Sequence, residues 1–138
     1  MLAVDNLRSA YGESEVLHGL DFEVKPGEIV AIMGRNGMGK TTLMKTIMGI
    51  VPTKQGHVEV DGISIENLKS YERVGNGLAY VPQGRQIFSS MTVEENVETG
   101  LIITGEKTVS PDIYELFPVL VEMTSRRGGN LSDGQQQR

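Results

Sequence analysis

Two stretches near the start of the chain alternate apolar and polar residues, as half-buried strands do. They cover residues 2–10 and 16–24, and in the second Leu20, Phe22 and Val24 alternate with polar neighbours. Pro26-Gly27 reads as a turn. It delivers the chain into Glu28–Met33, a continuous apolar run that predicts a buried parallel strand. Leu43, Met44, Ile47 and Met48 then recur on one helical face, predicting a helix from Thr42 that Gly49 and Pro52 end. Residues His57–Ile65 alternate around Asp61-Gly62, a strong local signal for a hairpin. Leu78–Val81 predicts a second short apolar strand, stopped by Pro82, with Gln83 at its end. From about residue 91 the period becomes helical. Thr92-Val93-Glu94-Glu95 has the spacing of a capping box, and Val93, Val97 and Leu101 continue one face. Ser110-Pro111-Asp112 opens another helix, with Ile113, Leu116, Phe117 and Leu120 expected inward. Arg126–Asn130 reads as a loop, and Ser132–Gln135 again has capping-box spacing. The helix begun there is expected to continue past Arg138, so residues 1–138 read as the N-terminal part of a longer domain.

Between the predicted strand at Glu28–Met33 and the helix after it lies Gly34-Arg35-Asn36-Gly37-Met38-Gly39-Lys40-Thr41-Thr42. This is the pattern G-x-x-x-x-G-K-[ST], set between a strand and a helix as a phosphate-binding loop requires. Glycines let the backbone curl so that successive N–H groups point inward at phosphate oxygens. The helix adds its positive N-terminal end. Lys40 is placed to reach the β- and γ-phosphates, and the Thr41 hydroxyl to ligate Mg²⁺. The expectation is nucleotide binding by residues 34–42. Gln83, at a strand's carboxyl end, is where an open α/β sheet presents ligand-facing groups.

Composition narrows this only a little. The chain has 138 residues, enough for one core, with 38% apolar and 22% charged residues, as in ordinary globular domains. Its 17 glycines announce many tight turns. A net charge of −5, with no stripe of Lys and Arg, argues against a nucleic-acid surface. There is no cysteine, hence no disulfide framework, which is compatible with a cytoplasmic protein. No apolar stretch approaches the ~20 residues that cross a bilayer, and no secretory signal is evident. Any membrane connection is therefore expected to come through a partner.

Further features accompany the phosphate loop. Tyr11 lies upstream of it, and Gln83 follows a predicted strand. Arg85–Asn96 includes Arg-Gln-Ile-Phe-Ser-Ser-Met-Thr-Val-Glu-Glu-Asn, and Leu131-Ser132-Asp133-Gly134-Gln135 stands close to L-S-G-G-Q. Together these resemble the ATP-binding subunits of ABC transporters over the whole chain. Val81–Arg85 and Thr92–Asn96 are similar to importers of branched-chain amino acids and of urea. Gly34–Lys40, Glu98–Leu101 and Arg126–Asn130 with the run Gln135–Gln137 tilt the resemblance toward the urea-type subunit.

The resemblance implies an α/β P-loop NTPase fold with an antiparallel β subdomain, an α-helical subdomain and an incomplete core sheet. About residues 1–87 would form the β layer and the front of the nucleotide core, and about 88–138 the helical subdomain ending at the signature motif. It implies ATP and Mg²⁺ as ligands, with Tyr11 stacking on adenine and Gly34, Arg35, Asn36, Gly37, Met38, Gly39, Lys40, Thr41 and Thr42 around the phosphates. Lys40 and Gln83 would act in catalysis, and Thr41 and Gln83 would hold the metal or the attacking water. Ser132, Asp133, Gly134 and Gln135 would close on ATP held by a second subunit. The implied partners are transmembrane permease subunits, a second ATP-binding subunit (identical or not) and, indirectly, a periplasmic solute-binding protein. The implied location is the cytoplasmic face of the cell membrane. Asp133 departs from the second glycine of the pattern, and a carboxylate facing a triphosphate should weaken closure. The family's acidic strand end, catalytic glutamate and switch histidine do not occur in these residues, and neither His18 nor His57 is placed to replace them. The chain alone is thus expected to hold nucleotide weakly and hydrolyse none. Two other readings stay open: a non-hydrolysing module that docks on a membrane subunit, and another P-loop enzyme such as a small kinase.

Overall fold

The structure is a computed structural model that describes residues 1–84 and 86–136, with the side chain of Asp133 outside the description. Two compact units divide the chain, residues 1–80 and 81–138.

In the first unit the alternating stretches become strands β1 (Leu2–Tyr11) and β2 (Ser14–Val24), followed by helix α1 (Lys40–Ile47), strands β3 (Thr53–Val60) and β4 (Ile63–Ser64), and helix α2 (Ser70–Gly75). The strands form one antiparallel sheet in the order β2-β1-β3-β4. Val4 faces the core on one side of Asn6, and Leu7 and Ser9 on the other, so the inward phase changes by one residue. Asn6 sits at φ 45°, where the register of β1 shifts against both neighbours. This is what a bulge does to the two-residue period, and Asp21 accepts the Asn6 amide at 2.7 Å. The Asp61-Gly62 turn has positive φ at both residues, 49° and 81°, as a tight hairpin between right-twisted strands demands.

Helix α1 lays one stripe on the sheet. Leu43 and Ile47 join Val4, Leu7, Leu17, Val58, Val60 and Ile65 in the core. A buried hydroxyl pair fixes its rotation, because Thr46 Oγ1 reaches Ser9 Oγ at 3.1 Å and donates to Thr42 O at 2.8 Å. The helix ends in a Schellman turn, with the Ile50 amide on Lys45 O at 2.8 Å and the Gly49 amide on Thr46 O at 3.0 Å. Arg73 of α2 finishes that end. It is 2% exposed, and its guanidinium donates to Thr46 O (2.8 Å), Ile47 O (2.7 Å), Leu68 O (2.9 Å) and Glu66 O (2.7 Å).

Glu66 beside it contacts His57 Nδ1 at 3.1 Å and accepts the Val58 amide at 3.4 Å. Burial would raise its carboxyl pKa, but bonds from its own backbone, His57 and Val58 prevail and hold it below the ordinary 4.5. A depressed acid stabilises the fold above its ordinary pKa and loses that contribution as pH falls through the lowered value. The thermal midpoint should therefore drop on acidification below about pH 4.5, and Glu66→Gln should flatten that drop. Melting curves between roughly pH 3 and 6 check it, and parallel profiles for the two proteins would count against it.

Two expected strands are not formed. Residues 28–33 and 78–81 are irregular, with Ile29 fully exposed and Met33 and Val81 89% and 87% exposed. A strand exists only by pairing. Among the described residues nothing ladders with either segment, so no parallel pair accompanies the antiparallel sheet.

The second unit is helical: α3 (Val93–Glu98), α4 (Leu101–Thr104), α5 (Pro111–Leu116), α6 (Val119–Met123), a 3₁₀ turn (Gly128–Asn130) and α7 (Asp133–Gln136). The capping box at α3 forms as expected, Thr92 Oγ1 accepting the Glu95 amide while Glu95 accepts the Thr92 amide. Its small core is Val93, Leu120 and Met123, with Val97, Ile113 and Leu131 against it. Leu116 and Phe117 were expected inward but are 71% and 37% exposed. Pro118 is the cause. It drives the preceding residue out of the helical region, Phe117 adopting φ −129° and ψ 69°, so the apolar face breaks between α5 and α6.

Candidate functional site

The loop 34–39 curls directly into α1. Gly39 takes the N-cap position with φ 86°, a backbone that side chains rarely adopt. A Cβ there would also stand 3.2 Å from both Val16 and Leu17 of β2, so only glycine lets the loop lie this close to the sheet. The choice of glycine has an electrostatic consequence. Helices usually receive a Ser, Thr, Asp or Asn side chain at this position, yet α1 has no side-chain cap and no acidic residue in its first turn. Its leading amides are left for an external acceptor, and the helix end favours an anion. Gly34, Arg35, Asn36, Gly37 and Met38 are all exposed, with the Met38 amide closing a turn on Arg35 O at 3.3 Å.

Lys40 folds its ammonium over the same loop, donating to Gly34 O at 2.6 Å and Arg35 O at 2.8 Å. The cation thus sits on the loop's own carbonyls, poised beside the uncapped helix end. The two threonines differ. Thr42 is buried and its carbonyl is held by Thr46, while Thr41 is exposed with its hydroxyl available. No cluster of His, Cys, Asp or Glu suited to a metal occurs among the described residues. A hard cation that keeps its waters and binds chiefly to phosphate oxygens needs no such cluster. This donor set, amides plus one ammonium plus one hydroxyl, fits a phosphate chain with Mg²⁺.

Tyr11 ends β1 and is 52% exposed. Its ladder partner is Ser14, while Leu17, which touches the Gly39 position, pairs with Ser9. Tyr11 therefore stands two residues, roughly 7 Å, along the same ladder from the strand position that abuts the loop.

Gln83 belongs to the second unit and is exposed on irregular chain, so the strand end expected to present it is missing. Arg85 lies outside the described residues, as does Gln137. At the signature stretch, Gln135 Oε1 accepts the Ser132 amide at 2.9 Å, the return half of a capping box. Ser132 and Gly134 are exposed, and Gln136 Nε2 donates to Gly128 O at 3.2 Å and Leu131 O at 3.1 Å. Asp133 begins α7.

Arg73 was not singled out in the sequence, although it clamps the far end of the helix whose near end carries Lys40. No local pattern marks it, because all its partners are carbonyls up to 27 residues away.

A family profile described as ABC transporter matches residues 17–138. The chain is 38% identical over 140 residues to a high-affinity branched-chain amino acid transport ATP-binding protein of Pseudomonas aeruginosa, covering 99% of this chain and 60% of that protein. It is 35% identical over 144 residues to a ribose import ATP-binding protein of Oceanobacillus iheyensis, covering 99% of this chain and 29% of that protein. Among solved structures, a dimeric ATP-binding cassette in a post-hydrolysis state bound to ADP and phosphate superposes with a TM-score of 0.81. The identity there is 27%, over 99% of this chain and 66% of that one. The chain thus spans less than two thirds of each of these relatives.

Proposed function

Because this chain belongs to the ABC transporter ATP-binding family, we propose that it binds ATP with Mg²⁺ and forms part of the subunit that powers a solute importer. The observation that carries the proposal is the uncapped N-terminus of α1 behind the Gly34–Gly39 loop, with Lys40 folded over it. Lys40 exchanges its two loop carbonyls for the β- and γ-phosphates. The amides at the start of α1 hold phosphate oxygens, Thr41 offers its hydroxyl to Mg²⁺, and Tyr11 stacks on adenine. Gln83 supplies an amide oxygen to the metal or the attacking water. Bound Mg²⁺ would neutralise charge between the β- and γ-phosphates.

Ser132, Gly134 and Gln135 are assigned to the ATP of a second ATP-binding subunit, identical or not, and Asp133 opposes that approach by like charge. The dimeric assembly of the structural relative supports this role. In the whole protein, closure and ATP hydrolysis would drive transport through permease subunits, served by a periplasmic solute-binding protein, at the cytoplasmic face of the membrane. The relative from Pseudomonas supports branched-chain amino acids as the solute class, with urea the alternative carried by the motif pattern. No helix among the described residues is long and apolar enough to cross a membrane. The exposed Ile102, Ile103, Leu116 and Val121 of the helical unit support docking on a membrane partner.

The test is ATP- and Mg²⁺-dependent association, followed by light scattering. Association should rise with ATP and Mg²⁺ and rise further in Asp133→Gly. Transfer of phosphate to a small acceptor, with no ATP-dependent association in either protein, would replace this reading with a kinase. Association indifferent to ATP, without phosphate transfer, would favour a purely structural docking module.

A further inference from the structure

The segment after Gln83 and the turn before Ser132 are bonded together through backbone amides, and one side chain, that of Asn96, holds the segment's half of the joint. Asn96 of α3 donates from Nδ2 to the carbonyls of Phe88 (3.0 Å), Met91 (3.4 Å) and Thr92 (2.8 Å). Its Oδ1 accepts the Phe88 amide at 2.8 Å. The opposite wall of this joint is the 3₁₀ turn. The Gly128 amide donates to Met91 O at 2.8 Å, the carbonyl Asn96 also holds, and the Gly129 amide donates to Ser89 O at 3.0 Å. Thr92 bridges Arg127, and the Val93 amide reaches Arg126 O at 2.8 Å. Packing is tight where the turn meets residues 87–89. A Cβ on Gly128 would lie 3.0 Å from Ile87 Cδ1 and from Phe88 O, and 3.4 Å from Asn96 Nδ2. On its other side the turn is tied to α7 by the Gln136 bond to Gly128 O, with a second to Leu131 O just past it. Residues 88–91, the turn 128–130 and the signature helix therefore share one continuous hydrogen-bonded joint.

We propose that Asn96 is a positioning residue that holds Ser132–Gln135 in fixed register with the segment following Gln83, so that a shift of that segment moves the signature helix with it. The importance of this register for ATP binding between subunits rests on the function proposed above; the mechanical link does not. The chemistry singles out an amide. Only a side chain with two N–H donors and a carbonyl can serve several carbonyls and an amide at one point. Aspartate keeps the acceptor but turns a negative charge toward three carbonyl oxygens. The competing view is that Asn96 merely caps its own neighbourhood, residues 88–92.

Amide hydrogen exchange in the 138-residue chain, with Asn96→Asp and Gly128→Ala, separates the two. In Asn96→Asp the amides of Phe88, Leu131, Gln135 and Gln136 should all exchange at least about tenfold faster, with α1 and the β-sheet unchanged. In Gly128→Ala the same set should respond, Phe88 included, since a mechanical link is reciprocal. ATP affinity should stay within about twofold of the unsubstituted chain in both variants, while ATP-dependent association weakens at least about tenfold. Faster exchange at Phe88 alone in Asn96→Asp overturns the proposal. If that variant loses protection throughout α5 and α6, Gly128→Ala decides, and unchanged Phe88 protection there overturns it. If the unsubstituted chain shows no ATP-dependent association, the function proposed above fails and the exchange pattern still judges the link.

Discussion

Lys40→Ala is expected to weaken ATP–Mg²⁺ binding about a thousandfold while leaving the fold intact. The ammonium is aimed at the loop centre, 2.6 Å from Gly34 O and 2.8 Å from Arg35 O. Replacing those carbonyls by two phosphate oxygens makes charge-assisted bonds of about 1.5–3 kcal/mol each. Losing both costs about 4 kcal/mol, and every 1.4 kcal/mol is tenfold in affinity. Stability should hardly move. The two carbonyls belong to exposed residues, where water replaces the lost donor, and such substitutions stay within about 0.5 kcal/mol. Calorimetric titration with parallel thermal melts checks both halves. Equal affinities would remove the ammonium from the account, and a collapsed melt would show Lys40 to be structural.

The largest effect on stability is expected from Arg73→Met, which keeps much of the apolar stem and deletes every donor. Four carbonyls lose their partner: two at the last turn of α1, and those of Glu66 and Leu68. A buried acceptor left unpaired costs about 1–3 kcal/mol, and the favourable cation at the helix C-terminus goes as well. The expected loss is about 4 kcal/mol, comparable to the whole stability of a small unit. Arg73→Lys offers a single nitrogen with three donors and should restore only part of this. Denaturant unfolding measures the series. A loss below about 1 kcal/mol for Arg73→Met would show that water takes over the clamp.

Most of the local architecture was legible in the amino-acid order, because its causes are local. The Asp61-Gly62 hairpin, the Thr92–Glu95 box, Pro111 at the start of α5 and the Gly49 stop each arise from contacts within a few residues. The loop 34–42 was legible for the same reason. Pairing is not local. Glu28–Met33 and Leu78–Val81 carry the composition of buried strands, yet nothing among the described residues hydrogen-bonds to them as a ladder. The strand expected to present Gln83 fails with the second of these. Phe117 and Leu116 were assigned to a continuous helix face that Pro118 interrupts. The one-residue phase change at Asn6 is invisible to a strict two-residue period. Arg73 and Asn96 escape for another reason: their partners are backbone carbonyls, which every residue has, and only the fold decides which ones converge.

The central claim is that an uncapped helix end and its glycine loop form the phosphate cradle. Backbone amide spectra during titration of the chain with ATP and Mg²⁺ test it most directly. Saturable shifts should be largest from Gly37 to Thr42, with Tyr11 next and the β3–β4 hairpin unaffected. Saturable binding with those amides silent, or no saturable binding at millimolar ATP, would contradict it.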